Sequence, residues 1–319
     1  MENIGKVFKE LNPKYKRFLL VLVLLWGFWT FGLGFLGGWF LNKGVLDKFP
    51  EITEEDRILG LAPHIDDEVI GAGGVIQRAL AAGSSVRVVY LTNGDDNFLS
   101  VVEEEKTSRI KPEEFVALGE ERMEEGKKAM AVLGLKKEDL IFLGFPDRGL
   151  SPMLGKNYSN QEPFVSQGTK FNHSPYRGTY KPGELYSGEN LISDLEEIIS
   201  NFNPTIIIAP HPRDNHPDHR ATFQYLERIL RGNEKHIRVY TYLVHFKFYP
   251  PENKLQTDKF LFPPKKLFSK EGWFSFELSE EEEDKKLEAA NQYKTQKSPT
   301  KLYDSLLGFV KRNEIFEEF

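Results

Sequence analysis

Five short runs of branched and aromatic residues set the frame of this chain: 57–63 (RILGLAP), 86–92 (VRVVYLT), 140–144 (LIFLG), 205–209 (TIIIA) and 237–244 (IRVYTYLV). Each has the length and the side chains of a buried strand. Between them, around 69–82, 112–133, 191–201 and 221–231, apolar residues recur at three- and four-residue intervals with charge elsewhere, the pattern of a helix with one buried face. Parallel strands need crossover connections, and the crossovers cover the sheet. The alternation therefore predicts an α/β fold, a Rossmann-like, mostly parallel sheet with helices on both faces. A further helix start is expected at Ser279, a capping residue followed by an acidic first turn.

Ahead of this pattern, residues 18–41 (FLLVLVLLWGFWTFGLGFLGGWFL) carry no charge. That length suffices for a helix to cross a hydrocarbon core of about 30 Å. The run exceeds the apolar core of a cleavable signal peptide and ends in Trp39, Phe40 and Leu41 rather than in small residues. An N-terminal transmembrane helix is expected. Lys6, Lys9, Lys14, Lys16 and Arg17 precede it, and only Lys43 and Lys48 follow closely, a bias that keeps the amino terminus in the cytoplasm. The expected order is a basic cytoplasmic segment 1–17, a membrane helix 18–41, a juxtamembrane linker 42–56 and one domain over 57–319 on the outer side of a single-pass membrane protein. Residues 150–188, rich in Ser, Asn, Pro, Gly and Tyr, form an insertion in that domain, suited to a wall of a carbohydrate cleft or to a peripheral addition. The oligomeric state is left open.

The chain has seven histidines, and His211, His216 and His219 fall within Ala-Pro-His-Pro-Arg-Asp-Asn-His-Pro-Asp-His-Arg, residues 209–220. A second polar cluster, His64-Ile65-Asp66-Asp67-Glu68, follows the first strand run. Both lie at the C-terminal ends of expected strands, the edge of an open α/β sheet where ligands bind. With no cysteine in the chain, a metal must be held by imidazole and carboxylate, the donors of a catalytic zinc or a similar divalent ion. Adjacent carboxylates in an extended segment point different ways, so one of Asp66 and Asp67 is free to bind metal while its neighbour faces the bound water. A net charge of −6 gives no global footprint for nucleic acid, whose phosphates call for a surface of clustered cations. Gly71-Ala72-Gly73-Gly74 invites a dinucleotide fold, yet Ile76 stands where that fingerprint needs glycine, and three carboxylates would repel a pyrophosphate. Neither a GxSxG elbow nor an HExxH helix occurs.

The two clusters resemble the signatures of the PIG-L/LmbE-like metal-dependent N-acetylglucosaminyl deacetylases, a His-Pro-Asp-Asp-Glu motif and a later His-Pro-Asp-His motif. Ile65 replaces the proline of the first, and His216-Pro217-Asp218-His219 matches the second. Weaker features stand in order: Thr92-Asn93-Gly94, Arg122-Met123-Glu124-Glu125 with Leu133-Gly134, Leu143-Gly144-Phe145-Pro146-Asp147, and Tyr293-Lys294-Thr295-Gln296. The resemblance runs from about 57 to 296, leaving out the apolar run and the 150–188 insertion.

The resemblance implies that His64, Asp67 and His219 ligate Zn2+ or another divalent transition metal and that Asp66 is the base for the metal's water. It further implies that a protonated His216, oriented by Asp218, stabilises the oxyanion, with Asp66 or His216 returning the proton to the amine. Arg122 and Asp147 resemble positions near the sugar. The implied partner is an N-acetylated sugar or glycolipid, such as a surface glycan or a small glycoconjugate. The other expectation is a membrane-tethered carbohydrate-binding protein whose metal pocket does not turn over. Glu68 is expected to cap or support the site, and His211 to be a packed neighbour of it. His173, His236 and His245 default to structural roles, with His245 placed to line the cleft.

Overall fold

The computed structural model describes residues 46–96, 110–231, 237–252, 254–268, 272–296 and 306–319. In the unit Lys48–Phe319, seven strands lie in one sheet: β1 (Arg57–Ala62), β2 (Ser85–Thr92), β3 (Leu140–Phe145), β4 (Ile206–Pro210), β5 (Arg238–Tyr242), β6 (Trp273–Glu277) and β7 (Asn313–Glu318). Their spatial order is β6-β7-β5-β4-β1-β2-β3. The five from β1 to β5 pair in parallel, while β7 runs antiparallel to both β5 and β6. The sheet is therefore mixed. All five expected strands form within one or two residues of their anticipated ends.

Helices α1 (Asp67–Ala81), α2 (Pro112–Val132), α3 (Leu150–Met153), α4 (Gly188–Phe202), α5 (Pro217–Leu230) and α6 (Glu280–Ala290) supply the crossovers and the covering layers. Alternate strand residues Leu59, Leu61, Val89, Leu91, Ile207 and Ala209 face one way and pack with Leu191, Leu195 and Ile198 of α4 and Tyr225 and Leu226 of α5. The opposite parity, including Tyr90, Phe142 and Tyr242, faces the other layer. Ser279 caps α6 through its side chain, which accepts the Glu282 N–H, as its position before an acidic turn anticipates.

The glycine run in α1 is a packing feature. A Cβ on Gly71 would lie 2.6 Å from the Tyr242 ring, and one on Gly74 would lie 2.8 Å from Leu278. The helix also breaks at Ala72, whose φ and ψ of −149° and 18° are not helical. Lys286 and Glu314 brace the break: Lys286 Nζ donates to the Ile70 carbonyl at 3.1 Å and to Glu314 Oε1 at 2.6 Å. Glu314 in turn accepts the N–H groups of Gly74 and Val75 at 2.7 and 3.1 Å. The first turn of α1, with its acidic residues, is thus set at its own angle.

The membrane part of the expected fold class is corrected. Among the described residues no helix is long and apolar enough to cross a membrane. The longest described helix, α2, has the length but carries Glu and Lys along it, which a hydrocarbon core does not accept. An N-terminal transmembrane helix, and with it a single-pass membrane protein with an outward domain, is not supported; residues 18–41 lie outside the described residues.

Strand order fixes where a site can form. From β1 the chain proceeds to β2 and β3 on one side, then returns through α4 to β4 on the other. The direction of winding reverses between β1 and β4, so a crevice opens beyond their C-terminal ends. His64 follows β1 by two residues, and the second histidine cluster follows β4.

Candidate active site

Asp66 and His216 are the residues that cap the two helices leaving this crevice. Asp66 is the N-cap of α1, and its φ of 141° lies in the region that favours glycine. A non-glycine residue there costs on the order of 1–3 kcal/mol and persists only where its surroundings dictate it. His216 caps α5, with Pro217 opening the helix and Asp218 in its first turn, an arrangement the helix dipole favours.

Three donor atoms converge. Asp67 Oδ2 lies 3.2 Å from His64 Nδ1 and 3.1 Å from His219 Nε2, and those two nitrogens are 3.3 Å apart. Donors bound to one tetrahedral ion at about 2.0–2.1 Å stand at about this mutual spacing. All three residues are buried, and Asp67 Oδ1 has no hydrogen-bond partner. Behind each imidazole stands a carboxylate: His64 Nε2 is 3.4 Å from Asp147 Oδ1 and 3.5 Å from Asp218 Oδ2, and His219 Nδ1 is 3.3 Å from Asp214 Oδ2. Carboxylates in that position fix the tautomer and raise the basicity of a metal-binding histidine. His245 also joins the group able to hold an ion, and His216 with Asp147 and His64 forms a second grouping. The residues present thus fit a divalent cation.

The electrostatics agree. Burial works against a proton on His219, but Asp67 and Asp214 beside it raise its pKa to about 9. Burial likewise opposes a charged His64, and Asp147, Asp218 and Asp67 push it well above the usual imidazole range. Such a cluster of buried carboxylates calls for positive charge. Asp66 is different: burial and the neighbouring Asp67 push it up to about 7, against the pull of Arg122. Burial and the neighbouring imidazoles His64, His219 and His245 lower His216 to about 3.

His64, Asp66, Arg122, Asp147 and His216 line one cleft of about 670 Å³, which Val244, Phe246, Leu306 and Phe309 line with apolar surface. His216 Nδ1 accepts the Asp218 N–H at 3.3 Å, which leaves Nε2 to carry the ring hydrogen. The Asp218 carboxylate accepts the amides of Arg148 and Leu150 at 2.6 and 3.2 Å, so it is turned toward His64 and the segment before α3 rather than toward the His216 ring. Arg122 donates to the carbonyls of Gly94 and Ile65 at 2.6 and 3.1 Å and stands 3.8 Å from Asp66. No residue of 150–188 is among those lining the cleft. That insertion instead packs Tyr186 into the core and sends the Tyr176 hydroxyl to Asp95 at 2.6 Å. His211 is buried with Nε2 2.6 Å from Glu317, a packed neighbour as expected; His236 lies outside the described residues.

Asp214 was not singled out from the sequence. It sits within the second histidine cluster, where it accepts the amides of His216, Val244 and His245 at 2.8, 3.2 and 2.9 Å. Its place three residues before a proline-opened helix was the signal available.

Residues 59–230 match the family model described as PIG-L: GlcNAc-PI de-N-acetylase. The chain belongs to that family and is a metal-dependent N-deacetylase. Among solved structures it is similar to N,N'-diacetylchitobiose deacetylase from Pyrococcus horikoshii (17% identity, 83% of this chain and 84% of that one, TM-score 0.50). It is also similar to the zinc-inhibited form of teicoplanin deacetylase Orf2 (16%, 82% and 97%, 0.51) and to A40926 pseudoaglycone deacetylase Dbv21 (17%, 83% and 97%, 0.50). At these identities the likeness shows the shared fold.

Proposed function

We propose that this chain removes the acetyl group from an N-acetylglucosamine-type substrate, with His64, Asp67 and His219 holding zinc or a similar divalent transition metal. The observation that carries this is the convergence of three donor atoms from two distant motifs to within 3.1–3.3 Å of one another, each imidazole backed by a carboxylate. When bound, such a cation acidifies a water and polarises a carbonyl oxygen.

The chain's own residues do the rest. Asp66, at the cleft with its pKa pushed up to about 7 by burial and the neighbouring Asp67, takes a proton from the water that attacks the acetamide carbonyl. It returns that proton to the amine as the C–N bond breaks, leaving acetate and the free amine. His216 supplies the Nε2–H as a hydrogen-bond donor to the developing oxyanion; this role needs no added charge on a ring whose pKa is lowered. Asp147 and Asp218 place negative charge 3.4 and 3.5 Å from the outer nitrogen of His64. Arg122 and Asp147 meet the sugar's hydroxyls from the polar wall. The apolar wall of Val244, Phe246, Leu306 and Phe309 suits a substrate whose amino sugar carries an apolar group.

The test is acetate release by the metal-loaded chain from a panel of N-acetylglucosaminides with polar and apolar substituents. Equal amounts of acetate and free amine are expected, fastest with apolar substituents. Sugar binding without acetate from any of them contradicts the reading.

A further inference from the structure

Asp66 keeps an uncommon backbone conformation, and one set of the groups that hold it lies away from the cleft. Its carbonyl accepts the N–H groups of Val69 and Ile70, both at 3.1 Å. Its own N–H donates to Glu68 Oε2 at 3.0 Å. Glu68 is buried and is not among the cleft-lining residues. Its other oxygen, Oε1, accepts the hydroxyl of Tyr90 at 2.9 Å and that of Tyr293. A carboxylate accepting from two phenols and one amide is fixed in place.

Each tyrosine is itself anchored. Tyr90, on β2, stacks on Phe142 with ring centroids 4.6 Å apart. Tyr293 follows α6 in the Tyr-Lys-Thr-Gln segment, and two residues on, Thr295 donates its amide and hydroxyl to Glu125 of α2 at 3.0 and 2.6 Å. The segment is thereby tied both to α2 and, through Tyr293, to the start of α1. From the other side Arg122 grips the Ile65 carbonyl at 3.1 Å. The dipeptide holding Asp66 is thus gripped on both sides, by Arg122 from the cleft wall and by Glu68, Tyr90 and Tyr293, none of which lines the cleft.

We propose that Glu68, clamped by Tyr90 and Tyr293, is a positioning residue that holds Asp66 in the backbone conformation from which it acts; the proposal rests on Asp66 being the base. Glu68 serves the reaction through Asp66 alone, so its effect vanishes once Asp66 can no longer accept a proton.

A double-mutant cycle on the full, metal-loaded chain tests this. Glu68→Ala is expected to lower kcat about 100-fold and Tyr293→Phe about tenfold, with KM and metal per chain unchanged. Glu68→Gln, whose amide oxygen still accepts the Asp66 N–H, should recover to within about tenfold of the parent. In an Asp66→Asn background, Glu68→Ala should cost less than about threefold more. A parent-like Glu68→Ala, or its whole loss repeated in the Asp66→Asn background, overturns the proposal. If Glu68→Ala does not fold, Tyr293→Phe carries the same cycle with the same criteria. Full activity in Asp66→Asn alone overturns the base assignment and this proposal with it, whereas an inactive Asp66→Asn beside a parent-like Glu68→Ala overturns the positioning role only.

Discussion

Asp67 Oδ2 lies 3.1 Å from His219 Nε2, although the two residues belong to motifs on opposite sides of a winding reversal in the sheet. β1 and β4 are hydrogen-bonded neighbours, so whatever follows their C-terminal ends is delivered to the same crevice. The convergence of these donor atoms is a product of strand order.

Asp66→Asn tests the division of labour between adjacent aspartates. Asp66 is not among the three converging donors, so the variant should keep its metal. It should lose about 10²–10⁴-fold in kcat, the range for a positioned base. Parent-like kcat in the metal-loaded variant contradicts the assignment.

Cation affinity should rise with pH. Without the ion, Asp67 and Asp214 hold a proton on His219 up to a pKa of about 9, against the effect of burial, and His64 is raised as well. The ion takes the place of those protons, so binding releases them and becomes tighter as pH climbs toward the His219 pKa. Titration calorimetry in buffers of different ionisation enthalpy should show proton release and tightening zinc affinity between about pH 6 and 8. Affinity that is flat or falls over that range contradicts this.

Gly71→Ala places a methyl carbon 2.6 Å from the Tyr242 ring, and that ring is fixed by its hydroxyl bond to the Leu61 carbonyl at 3.0 Å. Overpacking of this kind costs about 1–3 kcal/mol. Urea unfolding should show an unfolding free energy lowered by that amount and a correspondingly lower midpoint, and an unchanged midpoint would mean that the helix start yields without cost.

Lys286→Met should be the more damaging change. Lys286 and Glu314 side chains are 0% and 1% exposed, so removing the ammonium leaves a buried carboxylate without its partner. Loss of one member of such a pair costs about 3–5 kcal/mol. A loss below about 1 kcal/mol, read from the same unfolding curves, contradicts the bracing role given to this pair.

The parallel half of the fold and the two polar clusters that meet at its C-terminal edge were legible because both follow from simple rules. Runs such as Ile206–Pro210 are apolar throughout, as strands buried on both faces must be, and ligand-bearing motifs follow such strands directly. The strands β6 and β7 were not anticipated. Asn313–Glu318 reads as a polar segment, yet Glu314 is buried against Lys286 and Glu317 lies beside His211; a charge satisfied by a partner distant in sequence leaves no local trace. The placement of Asp218 was equally hidden, because its backbone partners Arg148 and Leu150 come from a segment 68–70 residues away. The expected membrane helix rested on residues 18–41, outside the described residues, and no described helix supports a membrane span.

Metal content is the most direct test of the site. The parent chain, prepared with zinc and freed of unbound ion, should retain about one equivalent by elemental analysis, and His219→Ala under the same treatment should retain less than about a tenth of that. A parent chain that holds no transition metal, or a His219→Ala chain that holds a full equivalent, contradicts the assignment of His64, Asp67 and His219 as the ligands.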